Sequence, residues 1–264
     1  MPLTKTVPAM VAVLVCAGAT GQQAATSKEC DGKWQGGPDN HACELREVTF
    51  PARGALSIDA GPNGGISVTG TDRKDVLVQA TVHAWGDRED TARATVGQIV
   101  VHTDGVVRAE GPAQNGRNGW SVSYEVFAPR DTNLKLQSNN GAIAIANVHG
   151  DLDFETQNGA IKLDGLAGNV RGRATNGAVD VKLTGARWEG EALDVRTTNG
   201  GVRLRIPEDY SARLETGTVN GGVNIDFPVL VQGKIGRDIS TTLGSGGALV
   251  RAETTNGGVR IIKY

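Results

Sequence analysis

Aromatic side chains are scarce, at 4% of the chain, which leaves little material for a stacking platform. Basic residues do not outnumber acidic ones. Lys plus Arg number 27 against 29 Asp plus Glu, for a net charge of −2, so the basic footprint of a nucleic-acid-binding domain is missing. Only three cysteines and nine prolines occur. Beyond residue 19 no apolar run approaches the roughly 20 residues of a spanning helix, so a transmembrane span is not expected. No segment with helical period interrupts residues 131–264.

Catalytic and cofactor motifs are equally absent. There is no Gly-x-Ser-x-Gly elbow and no His-Glu-x-x-His. Gly244-Ser245-Gly246-Gly247 lacks the Lys and the following helix of a phosphate cradle and reads as a turn. His41, His83, His102 and His149 have no metal-ligand neighbour at helical or hairpin spacing. No cofactor, metal or catalytic residue is expected.

What is abundant is glycine, with 37 of 264 residues. Before it comes a short leader. Lys5 supplies a positive start, Val7 to Ala19 is largely apolar, and Ala17-Gly18-Ala19 offers a cleavage site, so residues 1–19 read as a secretory signal. Val15 precedes Cys16 where a lipid-attachment site wants a small residue, so a lipid anchor is not expected there. An exported chain then keeps Cys30 and Cys43, which read as a disulfide closing a leader over residues 20–45. A metal site with His41 is the rival, short of one ligand.

The rest is repetitive. Asn-Gly recurs at Asn140-Gly141, Asn158-Gly159, Asn176-Gly177, Asn199-Gly200, Asn220-Gly221 and Asn256-Gly257, at intervals of 18, 18, 23, 21 and 36. The shared pattern is N-G-[AG]-[IV]-x-[IVL], and Asn63-Gly64-Gly65-Ile66-Ser67-Val68 is a looser copy. Six positions before each Asn stands Leu134, Leu152, Val170, Leu193, Leu214 or Val250. Two before stands Ser138, Thr156, Ala174, Thr197, Thr218 or Thr254.

Alternation of apolar and polar residues makes these units strand pairs, one strand before the Asn-Gly and one after. Two all-β architectures compete. Asn-Gly between alternating runs is a hairpin signal and would give an antiparallel meander or sandwich. A parallel β-helix instead stacks equivalent positions at about 4.8 Å. Only the second gives near-identity a packing cause: stacked asparagines can hydrogen-bond in a ladder, and stacked glycines can form a corner. The β-helix is therefore preferred for residues 131–264.

Residues 46–130 form a less regular N-terminal β region of opening coils and cap. Strands are expected at Ala55–Ala60, Gly65–Thr69, Asp75–Trp85, Gln98–Thr103, Gly105–Ala109 and Trp120–Phe127. One short helix fits Glu89–Val96, capped by Asp87.

The signal, the T-x-N-G-G-V-x-[IL] units and the closing Asn256-Gly257-Gly258-Val259-Arg260-Ile261-Ile262-Lys263 resemble a bacterial family of unknown function. The family is labelled "putative adhesin" and has β-strand repeats. Arg205-Ile206-Pro207 and Phe127-Ala128-Pro129 match its strands ending in proline. The resemblance implies a right-handed β-helix in a non-enzymatic protein of the cell envelope, periplasmic or at the cell surface. Its role would be that of an adhesin or interaction scaffold, with an envelope protein or a cell-surface glycan as partner.

The alternative is a glycan-binding or polysaccharide-cleaving β-helix. Cleavage needs two carboxylates about 5–9.5 Å apart, and Asp151 and Asp153 share one strand face, with Asp164, Asp180 and Asp194 in later coils. Binding of an acidic glycan could use Arg171, Arg173, Arg196, Arg203, Arg205 and Arg213, if stacking aligns them. Trp188 and Tyr210, in the longer units, would stack on sugars if exposed. An exposed end coil could also pair with a second molecule.

Overall fold

The computed structural model describes residues 26–30, 40–226 and 237–264. The signal reading and Cys16 lie outside the described residues, as do residues 31–39 and 227–236. The described residues are all-β but for one helix, and their strands form an 11-stranded and a 10-stranded sheet around one apolar core.

Each repeat unit gives one strand to each sheet. The leading strands, which end at the Asn, build the 10-stranded sheet: Asn133–Asn140, His149–Asn158, Ala167–Asn176 and Ala192–Asn199 lie side by side. The trailing strands Ile143–Ala146, Ile161–Asp164, Val179–Lys182 and Val202–Ile206 do the same in the 11-stranded sheet. All these pairings are parallel and in register, with Leu152 against Leu134 and Val170, and Ile161 against Ile143 and Val179. Alternation does the rest: these residues are buried between the sheets and their neighbours face out. The arrangement is solenoid-like, and the hairpin reading of these Asn-Gly pairs is set aside.

The backbone shows why. A two-residue hairpin of the Asn-Gly type needs positive φ, and none of the repeat-corner glycines has it. They are glycines because the units stack so closely. A Cβ on Gly159 would lie 2.0 Å from the Gly141 carbonyl oxygen, and one on Gly177 1.9 Å from that of Gly159. By contrast Gly116, in the Asn115-Gly116 pair outside the repeats, has φ 78° and does serve a turn.

Sequence order and spatial order part at both ends. The last unit, Leu249–Asn256 and Val259–Lys263, is wedged between the Asn199 unit and the Asn220 unit (Ala212–Asn220 and Val223–Ile225). Among the described residues of the interval of 36, one antiparallel strand, Asp238–Leu243, covers the outer edge of Ala212–Gly217. At the other end Ala55–Asp59 and Ile66–Thr71 form the first unit. Val106–Glu110 and Gly119–Pro129 stack outside it in parallel, although they come later in the chain.

Beyond them the 11-stranded sheet turns antiparallel. Gly119–Pro129, Asp75–Trp85, His41–Pro51 and Thr26–Glu29 follow one another, and Cys30–Cys43 joins the last two with Cα atoms 5.5 Å apart. The helix Glu89–Gln98 packs on His41–Pro51 and Asp75–Trp85. Its N-cap is Arg88, not Asp87, and no side chain caps it. Asp87 is engaged through its backbone instead: its N–H donates to Asn118 Oδ1 (3.1 Å) and its carbonyl accepts from Asn40 Nδ2 (2.9 Å). The helix C-terminus is closed by Arg46, which donates to the carbonyls of Val96 (2.8 Å) and Ile99, a favourable cation at the negative end of the dipole.

Candidate functional site

The stack offers three outward surfaces: the Asn corner and the outer faces of the two sheets. At the corner the asparagine side chains hydrogen-bond in one continuous ladder. Asn140 donates to Asn63 (3.1 Å), Asn158 to Asn140 (2.8 Å), Asn176 to Asn158 (2.7 Å) and Asn199 to Asn176 (2.9 Å). Asn256 then donates to Asn199 (2.8 Å) and Asn220 to Asn256 (2.7 Å). Just inside runs a second row. Ser138, Thr156, Thr197, Thr254 and Thr218 each donate a hydroxyl, at 2.7–2.8 Å, to the corner-glycine carbonyl of the adjoining unit. Ala174 is the gap in that row, since it has no hydroxyl to offer Gly159. Both rows follow from parallel in-register stacking, which puts each donor one strand spacing from its acceptor.

The outer face of the 10-stranded sheet carries a row of charges. Read by register it runs Lys135, Asp153, Arg171, Asp194, Arg251, Glu215, alternating in sign throughout. Arg251 bridges Asp194 (3.2 Å) and Glu215 (2.9 Å through Nε), and Arg196 holds Asp194 from its own strand (2.9 Å). Hydrogen bonding to these carboxylates, reinforced by their charge, pushes the guanidinium pKa values of Arg196 and Arg251 up. The outer face of the 11-stranded sheet has its own pairs: Lys182 with Asp164 (3.3 Å), and Arg205 (2.7 Å) and Arg203 (3.4 Å) with Asp180.

This geometry sorts the candidate residues. Asp151 and Asp153 stay together on the exposed face of His149–Asn158, with Asp194 on the same sheet, whereas Asp164 and Asp180 lie on the other, so the five carboxylates are not gathered at one place. Asp153 and Asp194 share a row, but the Arg171 strand separates them. The arginines divide likewise, with Arg171, Arg173, Arg196 and Arg213 on one face and Arg203 and Arg205 on the other. They form no single basic stripe. Trp188 and Tyr210 are 5% and 3% exposed, so neither offers a face to a sugar. Trp188 Nε1 donates to the Gly168 carbonyl (3.0 Å), and burial, with Glu189 nearby, pushes the Tyr210 phenol pKa up. The longer units fold their aromatics inward over the coil rather than projecting them.

Of the histidines, His102 lies 3.3 Å from Glu110 and His149 3.6 Å from Asp131. His83 Nε2 is 3.6 Å from the sulfur of Cys43, which is committed to the disulfide. No group of metal-ligating side chains occurs among the described residues. Nor, among them, is any helix long and apolar enough to cross a membrane.

Residues 64–262 match the model of the Toastrack DUF4097 family. The chain belongs to that family. The family is one of unknown function, in agreement with the resemblance read from the T-x-N-G-G-V-x-[IL] units. Two crystal structures are similar. One is described as a "putative cell adhesion protein" from Clostridium sporogenes, 13% identical with a TM-score of 0.48, over 83% of this chain and 100% of that one. The other is described as a "putative adhesin" from Bacteroides fragilis, 14% identical with a TM-score of 0.41, over 83% of this chain and 97% of that one. No curated protein matches the sequence.

Proposed function

We propose that this Toastrack chain is an exported, non-enzymatic protein of the cell envelope. It acts as an adhesin or interaction scaffold, holding an envelope protein or a surface glycan by non-covalent contact. The carrying observation is the alternating row Lys135–Glu215 beside the continuous Asn ladder. A rod with such faces presents an asparagine at every strand spacing and charges of alternating sign beside it, a regular polar pattern that suits multivalent contact with a repetitive partner. The signal-like leader and the Cys30–Cys43 bridge favour an oxidising, exported setting, periplasmic or at the cell surface. We read the stack as a right-handed parallel β-helix. In-register parallel pairing supports the helix, and the strong preference of parallel crossovers for one hand supports the handedness. Of the carboxylates considered for glycan cleavage, Asp164, Asp180 and Asp194 are each held by Arg or Lys, which supports structural work for those three.

Cross-linking of the tagged chain in its own cells, followed by fractionation, tests this reading. The expected result is an envelope-fraction adduct with one protein or with glycan, reduced by Arg171→Glu together with Arg173→Glu. Recovery in the cytosol would overturn it. So would polysaccharide turnover by the purified chain that Asp153→Asn or Asp180→Asn abolishes.

A further inference from the structure

At the amino-terminal end the space between the two sheets has to be closed. The helix Glu89–Gln98 closes one part, packed on two strands and held by Arg46 at its last carbonyls. Another part stays open. Between the end of the strand His41–Pro51 and the turn Thr103–Gly105 lies a cavity of about 710 Å³. Its apolar wall is formed by Val48, Phe50, Leu56 and Val76. Arg53 and Asp104 stand at its rim, and neither has an ion-pair partner among the described residues.

A volume in the range of about 300–1,000 Å³, mostly apolar walls and few polar groups are the marks of a small-molecule site. An apolar concavity of this size left to water is unfavourable, so an apolar occupant gains the free energy of covering it. We infer that the cavity binds the alkyl chain of an anionic single-chain amphiphile, with the head group on Arg53. An added β-strand fits less well. Among the described residues Thr26–Glu29 occupies Glu44–Glu47, and the stretch of that edge left beside the cavity is Val48–Pro51, four residues ending in a proline without an N–H. The guanidinium of Arg53 can grip a carboxylate or phosphate by two parallel hydrogen bonds, whereas Asp104 repels it. The head group therefore sits on the Arg53 side of the mouth. This site is independent of the adhesive faces on the outer sheets.

The test is a titration of the full chain with cis-parinaric acid, a fluorescent long-chain carboxylic acid. Palmitate and the neutral 1-hexadecanol serve as competitors, and anionic phosphatidylglycerol vesicles form a parallel arm. Saturable one-to-one binding is expected. Arg53→Gln should weaken binding of the acids about tenfold and Asp104→Asn tighten it a few-fold, while the alcohol responds to neither. Ala55→Trp fills the mouth from an exposed lining position and should abolish binding of acid and alcohol alike without changing the circular dichroism. Binding of free acid but not vesicles assigns a free fatty acid. Binding of both, each lost in Ala55→Trp, overturns the single-chain occupant, since phosphatidylglycerol carries two acyl chains. Absence of saturable binding, or binding that survives Ala55→Trp, overturns the site. Rim variants that shift acid and alcohol equally overturn the role of Arg53.

Discussion

The repeat stack and the N-terminal antiparallel extension use the same alternation of buried and exposed residues, yet only the stack repeats in sequence. In the stack every strand lies beside its own counterpart, so each position has to suit a copy of itself about 4.8 Å away. Asparagine can donate to and accept from another asparagine, and glycine lets two corner backbones meet. The extension places His41–Pro51 against Asp75–Trp85 running the other way, so unlike positions meet and no self-complementarity is required. It is secured instead by a covalent bridge and a covering helix. Repetition is thus the consequence of parallel stacking, not of the β-structure itself.

This contrast can be broken most sharply at the corner. Gly177→Ala puts a Cβ 1.9 Å from the Gly159 carbonyl oxygen, and the atoms it meets are all backbone of Gly159 and Ala160, which leaves no flexible side chain to yield. A loss of about 3 kcal/mol or more is expected in urea unfolding. Gly97→Ala, with open space around it in the helix, should instead gain about 0.5–1 kcal/mol. Equal effects would mean that the corner approach is not what demands glycine.

Replacing Cys30 and Cys43 together by Ser comes next, at about 3 kcal/mol for a loop with a sequence separation of 13. The loss should fall on the extension. Hydrogen exchange is expected to rise in Thr26–Glu29 and the paired Glu44–Glu47, and to leave the Asn158 and Asn176 units protected. Uniform loss of protection would make the two regions one cooperative unit.

Within the ladder, Asn176→Ala removes two hydrogen bonds, to Asn158 and from Asn199, whereas Asn220→Ala at the end removes one. Both positions are exposed, so about 1–2 and 0.5–1 kcal/mol are expected. A reversed order in thermal unfolding would show that the ladder adds little.

The smallest effect sharpens the comparison by completing a row. Ala174→Thr lies between Thr156 and Thr197 and can offer the missing hydroxyl to Gly159. A gain of about 0.5–1 kcal/mol is expected, and a loss would mean that the site has no room for the methyl group.

Much of this was legible in the residues. The inward positions, the ladder asparagines and strands such as Asp75–Trp85 follow from alternation and repetition, which are local properties. Other features were not, because they arise between units. The hydroxyl of Thr156 is directed at Gly141 of the neighbouring unit, so its role is invisible in a single unit, where Thr reads merely as a residue that fits. Trp188 and Tyr210 looked available for sugar stacking because a longer unit suggests a protruding loop, but that loop returns over the coil and ties Trp188 to Gly168. The cap of the helix went to Arg88 because Asn118 and Asn40 hold the Asp87 backbone from across the fold.

The sequence by itself determined that the units pair as strands, which side of each is buried, and that identical corners stack on one another. Spacing and alternation suffice for that, since each strand needs only a neighbour like itself. It did not determine which neighbour. Stacked in chain order, Asp194 would lie beside Glu215, with Arg251 beyond them. The tertiary structure wedges the last unit between the two, so Arg251 separates both carboxylates and bonds to each. All units share the backbone pattern and can pair with any other, so the order fell to interactions the repeat does not encode. Like charges directly opposite on adjacent strands repel, and opposite charges attract.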